Sequence, residues 1–265
     1  MTYKVFLMGG VGNQLFQITR ALSLREEGKK VIVLELGIYK NIILRFINHS
    51  IHKEWINIFK LSLLLDLKIK RVSFIDLLNL FILFILRKLS IKGNFDLPLE
   101  QRLRSKYKID VGYFQGDYHF SKKAQNLVLI GIKKLLNNEL AKISSTTRIV
   151  FHLRTGDFLF KKNNHSISRK PNFFIINKYL SSLSLMDRQI VIITDDTSTL
   201  KNINMENLNC TISSKDPKSD FIQLVHSHKM YVSQSSYCYW AYKLAKDING
   251  CEVINLNDWV YKKIA

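Results

Sequence analysis

The chain has 265 residues, of which 47% are hydrophobic, and its mean hydropathy is close to zero. Such a chain can bury one large core or two small ones, so we expect a folded protein and exclude disorder as its main state. Forty basic against twenty-one acidic residues give a net charge of +19, which attracts polyanions: nucleic acid, an anionic membrane surface or a phosphorylated small substrate.

The charge does not choose among these partners. The basic residues are spread along the chain in pairs that we expect to face solvent, and no known nucleic-acid-binding module appears among them. Cys210, Cys238 and Cys251 match neither a disulfide framework nor a zinc site, which favours reduced thiols and the cytosolic side. The first residues lack the basic and apolar regions of a signal peptide, so we expect no secretory signal.

The first predicted unit is a strand, a glycine turn and a helix. Residues 4–8 are apolar and predict a buried strand, residues 9–12 a turn, residues 13–27 a helix closed by Gly28, and residues 30–34 the next strand. Glycines let a backbone approach a ligand closely, so Gly10, Asn13 and Gln14 are candidate ligand-facing residues. The turn lacks the third glycine of a dinucleotide fingerprint, which leaves NAD binding or a plain turn as alternatives.

The middle of the chain, residues 41–105, is rich in Leu, Ile and Lys at helical spacing and predicts two or three helices. Its most apolar window, residues 74–86, is shorter than the roughly 20 residues that a membrane-spanning helix needs. Residues 136–147 are polar and precede a strong strand, so we place a domain boundary there, with domains at 1–145 and 146–265.

The second half alternates apolar runs with helical patterns, which is typical of βα units that feed a parallel sheet. Predicted strands lie at 148–153, 189–194, 229–233 and 251–255, and predicted helices at 171–185, 219–228 and 236–247. The expected fold class is therefore α/β in both halves.

A first constellation of polar residues follows the strand at 148–153. Alternation along the strand places His152 and Arg154 on one face, just before Gly156 and Asp157. At the carboxyl end of a strand in an open α/β sheet, an arginine offers a planar fork that suits phosphate oxygens. The alternative is a local ion pair between Arg154 and Asp157 that only caps the strand.

Asp195 and Asp196 end the next predicted strand. Two adjacent acids suggest a divalent metal, but successive strand residues point to opposite sides, which argues against a shared ion. Asp196 also fits a helix N-cap.

The last constellation is a helix containing Asp220, a strand, and a serine-rich turn into a second helix at Ser235, Ser236 and Tyr237. Free amides and hydroxyls at the start of that helix form an anion site, because unpaired N–H groups and the helix dipole both favour phosphate. Serines that simply cap the helix are the alternative.

Together these segments resemble glycosyltransferase family 11, the bacterial α-1,2-fucosyltransferases. Four segments carry the resemblance, in the right order: Gly9-Gly10-Val11-Gly12-Asn13-Gln14-Leu15-Phe16-Gln17, Gly112-Tyr113-Phe114-Gln115, His152-Leu153-Arg154-Thr155-Gly156-Asp157-Phe158 and Ser235-Ser236-Tyr237-Cys238-Tyr239-Trp240-Ala241. Phe158 stands where the family usually has Tyr, and Tyr237-Cys238-Tyr239 stands where it has Phe-Ser-Trp.

The resemblance implies a GT-B-like fold, with two Rossmann-like domains facing across a cleft, and inverting transfer of fucose from GDP-fucose with no metal ion or other cofactor. Residues 1–145 would then be the acceptor side and residues 146–265 the GDP-fucose-binding side. By resemblance Arg154 neutralises the β-phosphate of GDP, the turn at Ser235, Ser236 and Tyr237 holds the diphosphate, Asp220 accepts hydrogen bonds from guanine, and Asn13 and Gln14 face the cleft. The base remains open between Asp157 and His152.

The acceptor expected from this resemblance is the 2-hydroxyl of galactose or a related hexose in a surface glycan such as O-antigen, on an oligosaccharide that a lipid carries. The net charge then predicts a peripheral enzyme on the inner face of the bacterial plasma membrane, held by anionic lipid. The alternatives are another nucleotide sugar or linkage, a nicotinamide-dependent dehydrogenase, and a basic nucleic-acid-binding protein, although nucleic acid is not the expected partner.

Overall fold

A computed structural model describes the chain over 2–36, 55–93, 108–110, 114, 119–141, 148–154, 173–183, 189–205, 208–213, 216–233 and 235–256. By contacts the chain divides into two compact units. The first comprises Met1–His52 and Asn57–Gly131, and the second Lys53–Ile56 and Ile132–Ala265. The predicted assignment of 1–145 to the acceptor and 146–265 to the donor stays a prediction.

The first unit is built on a parallel sheet with strand order β3-β2-β1-β4. Gly28 has a φ of 75°, a left-handed conformation that favours glycine, and it lies between the first helix and the second strand. The elements are β1 Thr2–Leu7, α1 Val11–Glu26, β2 Lys30–Glu35, α2 Ile58–Leu64, β3 Ile69–Arg71, α3 Phe74–Gly93, β4 Ile109–Asp110 and α4 Lys122–Leu135, which continues into the second unit.

The second unit is built on a parallel sheet with strand order β7-β6-β5-β8-β9. Its elements are α5 Asn137–Leu140, β5 Ile149–Leu153, α6 Phe173–Leu183, β6 Ile190–Thr194, a 3-10 helix Thr197–Asn202, β7 Cys210–Ser213, α7 Pro217–Val225, β8 Lys229–Val232, α8 Ser236–Asn249 and β9 Glu252–Asn255.

Strands β5 and β6 are buried along their whole length, as expected for central strands of a parallel sheet with both faces covered. The rings of Phe151 and Tyr231 stack at 4.3 Å across β5 and β8. From β5 the chain proceeds through β6 to β7 on one side and later through β8 to β9 on the other. The strand order therefore reverses between β5 and β8, the position at which open α/β sheets bind ligands.

The predicted α/β class with two Rossmann-like domains is confirmed. The strands predicted at 148–153, 189–194, 229–233 and 251–255 and the helices that follow three of them are all present. Of the two or three helices predicted between 41 and 105, α2 and α3 lie in the described residues, and the strand β3 between them was not predicted. Strand β7 was also not predicted, because its four residues mix polar and apolar side chains and lack the continuous apolar run that identifies β5 and β6.

The apolar window at 74–86 forms part of α3. Among the helices within the described ranges, none combines the length and the apolarity needed to cross a bilayer.

Candidate active site

Three of the polar residues singled out in the sequence lie at the carboxyl edge of the second sheet. Leu153 pairs with Thr194 across β5 and β6, so Arg154 and Asp195 are the next residues beyond the paired ends of neighbouring strands. His152 pairs with Val232 on the other side of β5. The sheet therefore brings the His152–Arg154 pair to the point where strand order reverses.

Ser233 fixes the backbone at this point. Its amide donates to the carbonyl of His152 at 3.0 Å, and its hydroxyl oxygen accepts from the amide of Arg154 at 2.8 Å. The residue is fully buried, so these bonds are shielded from water. No local pattern in the sequence signals this role of Ser233, because its partner Arg154 lies 79 residues away.

The charge of Arg154 acts on two buried groups at this edge. Burial, together with the neighbouring charge of Arg154, lowers the pKa of His152 to about 3. Burial raises the pKa of the Cys238 thiol well above its usual range, and the charge of Arg154 opposes that shift. The guanidinium thus lies within electrostatic range of both His152 and the first turn of α8, and His152 is a neutral imidazole near pH 7.

Helix α8 begins beside these residues. The hydroxyl oxygen of Ser235 accepts from the amide of Tyr237 at 3.2 Å, so Ser235 is an N-cap as the capping alternative expects. The Tyr237 hydroxyl donates to the carbonyl of Pro217, which ties the start of α8 to the start of α7. Because a serine hydroxyl can accept and donate at once, the cap leaves the Ser235 hydrogen available to an anion.

Asp220 lies on α7 in a largely dry setting. The hydroxyl of Ser213, at the carboxyl end of β7, donates to the Asp220 carboxylate, and burial raises the pKa of that carboxyl. Burial raises the pKa of the Tyr237 phenol well above its usual range, and the charge of Asp220 adds to that shift, so the two side chains are neighbours. The carboxyl therefore has one described partner and further acceptor capacity.

An aromatic cluster that the sequence did not reveal adjoins these helices. Trp55 stacks on Phe221 at 3.9 Å and meets Tyr237 edge-on at 5.5 Å. Tyr237 in turn lies 5.8 Å from the His152 ring. Trp55 is distant in sequence from all three but belongs to the same unit, and no local pattern in the sequence signals the contact.

The two acids after β6 have different roles. Asp196 caps the 3-10 helix, its carboxylate accepting from the amide of Ser198 at 2.9 Å, whereas Asp195 is exposed. In the part of the chain that the structure describes, no group of three His, Cys, Asp or Glu side chains is arranged to hold a metal ion. Asp157, and residues 112, 113 and 115 of the second quoted motif, lie outside the described residues.

In the first unit, the glycine turn is held by its own helix. The Gln17 side-chain oxygen accepts from the amide of Met8 at 2.8 Å, and the Gln14 amide group donates to the carbonyl of Gly9 at 2.9 Å. Gly9 has a φ of 78°, which favours glycine, while Gly10 is the N-cap of α1 in an extended conformation. Asn13 is buried in the first turn, so a ligand-facing role for Asn13 and Gln14 stays a prediction.

An open hollow of about 640 Å³ lies on the second unit beside the 3-10 helix. Its described lining consists of polar amides with one cation and two apolar side chains: Asn177, Lys201, Asn202, Ile203, Asn204 and Met205. A shallow lining of this kind lacks the convergent charge found at Arg154, so we do not assign the site there.

No sequence-family model matches the chain, and no curated protein sequence matches it. Similar solved structures include POFUT1 in complex with GDP, at a TM-score of 0.47 and 10% identity over 96% of this chain and 98% of that one. E. coli heptosyltransferase WaaC with ADP-2-deoxy-2-fluoro heptose is similar at a TM-score of 0.43 and 7% identity, over 96% of this chain and 88% of that one. E. coli ADP-heptose LPS heptosyltransferase II is similar at a TM-score of 0.41 and 12% identity, over 96% of this chain and 84% of that one. Similarity at this level carries no information on the donor or acceptor of this chain.

Proposed function

We propose that this protein is a glycosyltransferase that moves fucose from GDP-fucose to the 2-hydroxyl of a sugar, with inversion and without a metal ion. The observation that carries the proposal is the position of Arg154. Its amide is held by the buried Ser233 hydroxyl at the point where strand order reverses, beside the capped start of α8. The motifs that resemble glycosyltransferase family 11 supply the donor and the linkage.

Arg154 would stabilise the charge that develops on the donor. As the bond from the anomeric carbon to the β-phosphate oxygen breaks, both electrons of the bond remain on GDP. The guanidinium would stabilise the negative charge that develops on the β-phosphate. A planar fork can bind two phosphate oxygens at once. Ser235 would donate its hydroxyl hydrogen to the diphosphate, and the amides of Ser236 and Tyr237 would add the favourable end of the α8 dipole.

The nucleoside would lie toward α7. The N–H groups of guanine suit the buried Asp220 carboxylate, which keeps acceptor capacity beyond its bond from Ser213. Trp55 and Phe221 would position this region by packing against Tyr237 instead of by touching the reacting atoms. Asp195 would approach the donor from the end of β6.

The proton of the acceptor hydroxyl needs a base as oxygen attacks the anomeric carbon. His152 has a pKa of about 3 and therefore holds a proton weakly near neutral pH. We assign the base role to Asp157, the carboxylate of the same motif. His152 would then be a neutral residue that packs beside Arg154 and takes no proton. Asp157→Asn should then lower transfer far more than it lowers the binding of GDP.

A donor screen in excess EDTA tests the proposal. The protein is incubated with GDP-fucose, GDP-mannose, UDP-galactose and NADH, and free nucleotide release and binding are measured. Release or transfer with GDP-fucose alone, undiminished by EDTA, is expected. Nucleotide release with another sugar nucleotide would show that GDP-fucose is not the donor. Binding of NADH alone would contradict the glycosyltransferase proposal and favour a dehydrogenase.

A further inference from the structure

The outer face of α3 is a continuous apolar surface. Phe74 and Ile75 are 72% and 70% exposed, and the same face continues through Leu78, Phe81, Ile82 and Ile85, all of which are exposed. On a helix of 3.6 residues per turn these six positions fall on an arc of about 120°. An unbroken apolar arc of this length on a protein surface marks an interaction site more often than chance exposure does.

The opposite side of the helix already secures it to the first unit. Leu80 packs in the core cluster with Phe6 and Leu34, and Leu77 packs against its edge. Asp76 is buried and pairs with Lys4, while Ser73 accepts from the Asp76 amide at 3.2 Å and so caps the helix start. The described core contacts of α3 therefore come from the side opposite the arc, and the six side chains of the arc are exposed.

The charges around the arc specify that partner. Lys68, Lys70 and Arg71 are exposed just before the helix. Arg87, Lys88 and Lys92 follow in the same helix. Between residues 67 and 93 Asp76 is the single acidic residue, and it is buried and paired, so the described exposed charges of this range are all positive. The exposed Asp66, just before this range, pairs with Arg25 at 3.7 Å.

We propose that α3 lies in the surface of an anionic lipid bilayer, with its apolar arc among the acyl chains and its basic flanks against the headgroups. An apolar face flanked by Lys and Arg is the signature of a helix that binds in the plane of the interface. Anionic lipid headgroups attract such flanks. The proposal rests on α3 and its flanks alone and does not depend on which sugar nucleotide the second unit takes.

Vesicle sedimentation of the full chain tests this surface. Binding is compared for vesicles of phosphatidylglycerol with phosphatidylethanolamine and for vesicles of phosphatidylcholine. We expect binding to the anionic vesicles that weakens at high salt, because the Debye length falls from about 10 Å at 0.1 M to about 3 Å at 1 M. The double variant Phe74→Ser with Ile75→Ser should bind these vesicles at least roughly tenfold more weakly, since burial of two large apolar side chains is lost.

Matched controls come from the second unit. Phe174 is an exposed phenylalanine on α6, and Phe174→Ser should leave vesicle binding unchanged. Lys70→Glu with Arg71→Glu should abolish the preference for anionic vesicles, whereas Lys178→Glu with Lys201→Glu, at two other exposed lysines, should keep it. Circular dichroism and the melting temperature establish that each variant is folded.

Three results would overturn the proposal. One is absence of binding to anionic vesicles. The second is a loss of binding in the Phe174→Ser control equal to that in the double variant. The third is light scattering that shows a dimer which Phe74→Ser with Ile75→Ser converts to a monomer while vesicle binding is unchanged, since the arc would then face a second copy of this chain. Nucleotide release in solution should be the same in all these variants, which separates this test from that of the donor.

Discussion

The two units use the same strand–turn–helix arrangement for different ends. In the first, Gln17 and Gln14 satisfy backbone groups of the turn between β1 and α1, so its polar side chains hold the turn itself. In the second, Ser233 and Ser235 hold the backbone at the ends of β5 and β8, next to the charge of Arg154. Polar residues after a strand thus secure the turn itself in the first unit and lie beside a cationic side chain in the second.

The difference predicts where substitutions separate activity from stability. Changes around Arg154 should lower turnover more than they lower stability, and changes in the first turn should do the reverse.

Arg154→Ala should lower turnover of the donor about a thousandfold, because the charge that develops on the leaving diphosphate loses its counterion. Arg148→Ala is the matched control, since Arg148 precedes β5 at the opposite edge of the same sheet. Initial rates with GDP-fucose measure both. A similar loss of turnover in the two variants would show that both substitutions act through the fold. The carboxyl edge of the sheet would then have no special role in turnover.

Trp55→Ala should destabilise the second unit by about 3 kcal/mol, because it empties the site that the indole fills between Phe221 and Tyr237. Trp55→Phe should cost less, since a ring still stacks on Phe221. Urea unfolding of both variants gives the comparison. A Trp55→Ala protein with unchanged unfolding would mean that the aromatic cluster contributes no stability.

The buried His152 should make stability depend on pH. The folded pKa of about 3 lies below the ordinary value near 6.5, so the unfolded chain binds the extra proton first as pH falls. His152 therefore lowers the free energy of unfolding by about 2 kcal/mol between pH 7 and pH 5. Replacement by Asn should remove that part of the pH dependence. Parallel curves for His152→Asn and the parent would contradict the assignment.

Gln17→Ala and Ser233→Ala form a pair that sharpens the comparison. Each leaves one backbone amide, that of Met8 or of Arg154, without its side-chain acceptor, so each should cost about 1 to 2 kcal/mol. Turnover corrected for the folded fraction should fall about tenfold in Ser233→Ala alone, because Arg154 loses its positioning. Equal turnover in the two would place both turns in a structural role.

The sequence predicted the elements whose pattern is local and strong. Strands β5 and β6 are continuous apolar runs that stay buried on both faces, and Gly28 marks the end of α1. Strand β3 has three residues and β7 is largely exposed, so neither has an apolar run that identifies it.

The site was predictable residue by residue but not as an assembly. His152 and Arg154 stand out because a strand ends there, and Ser235 because serine caps helices. The roles of Ser233 and Trp55 depend on partners far away in the sequence, which strand pairing and aromatic packing bring together. A single sequence shows each residue but not the partner that gives it a role.

Calorimetric titration of GDP tests the central claim most directly, since the claim is that Arg154 at the carboxyl edge of the second sheet binds the diphosphate. The protein should bind GDP in the presence of EDTA, Arg148→Ala should bind it equally well, and Arg154→Ala should bind it about tenfold or more weakly. Equal affinity for GDP in Arg154→Ala and the parent would place the diphosphate elsewhere and contradict the account.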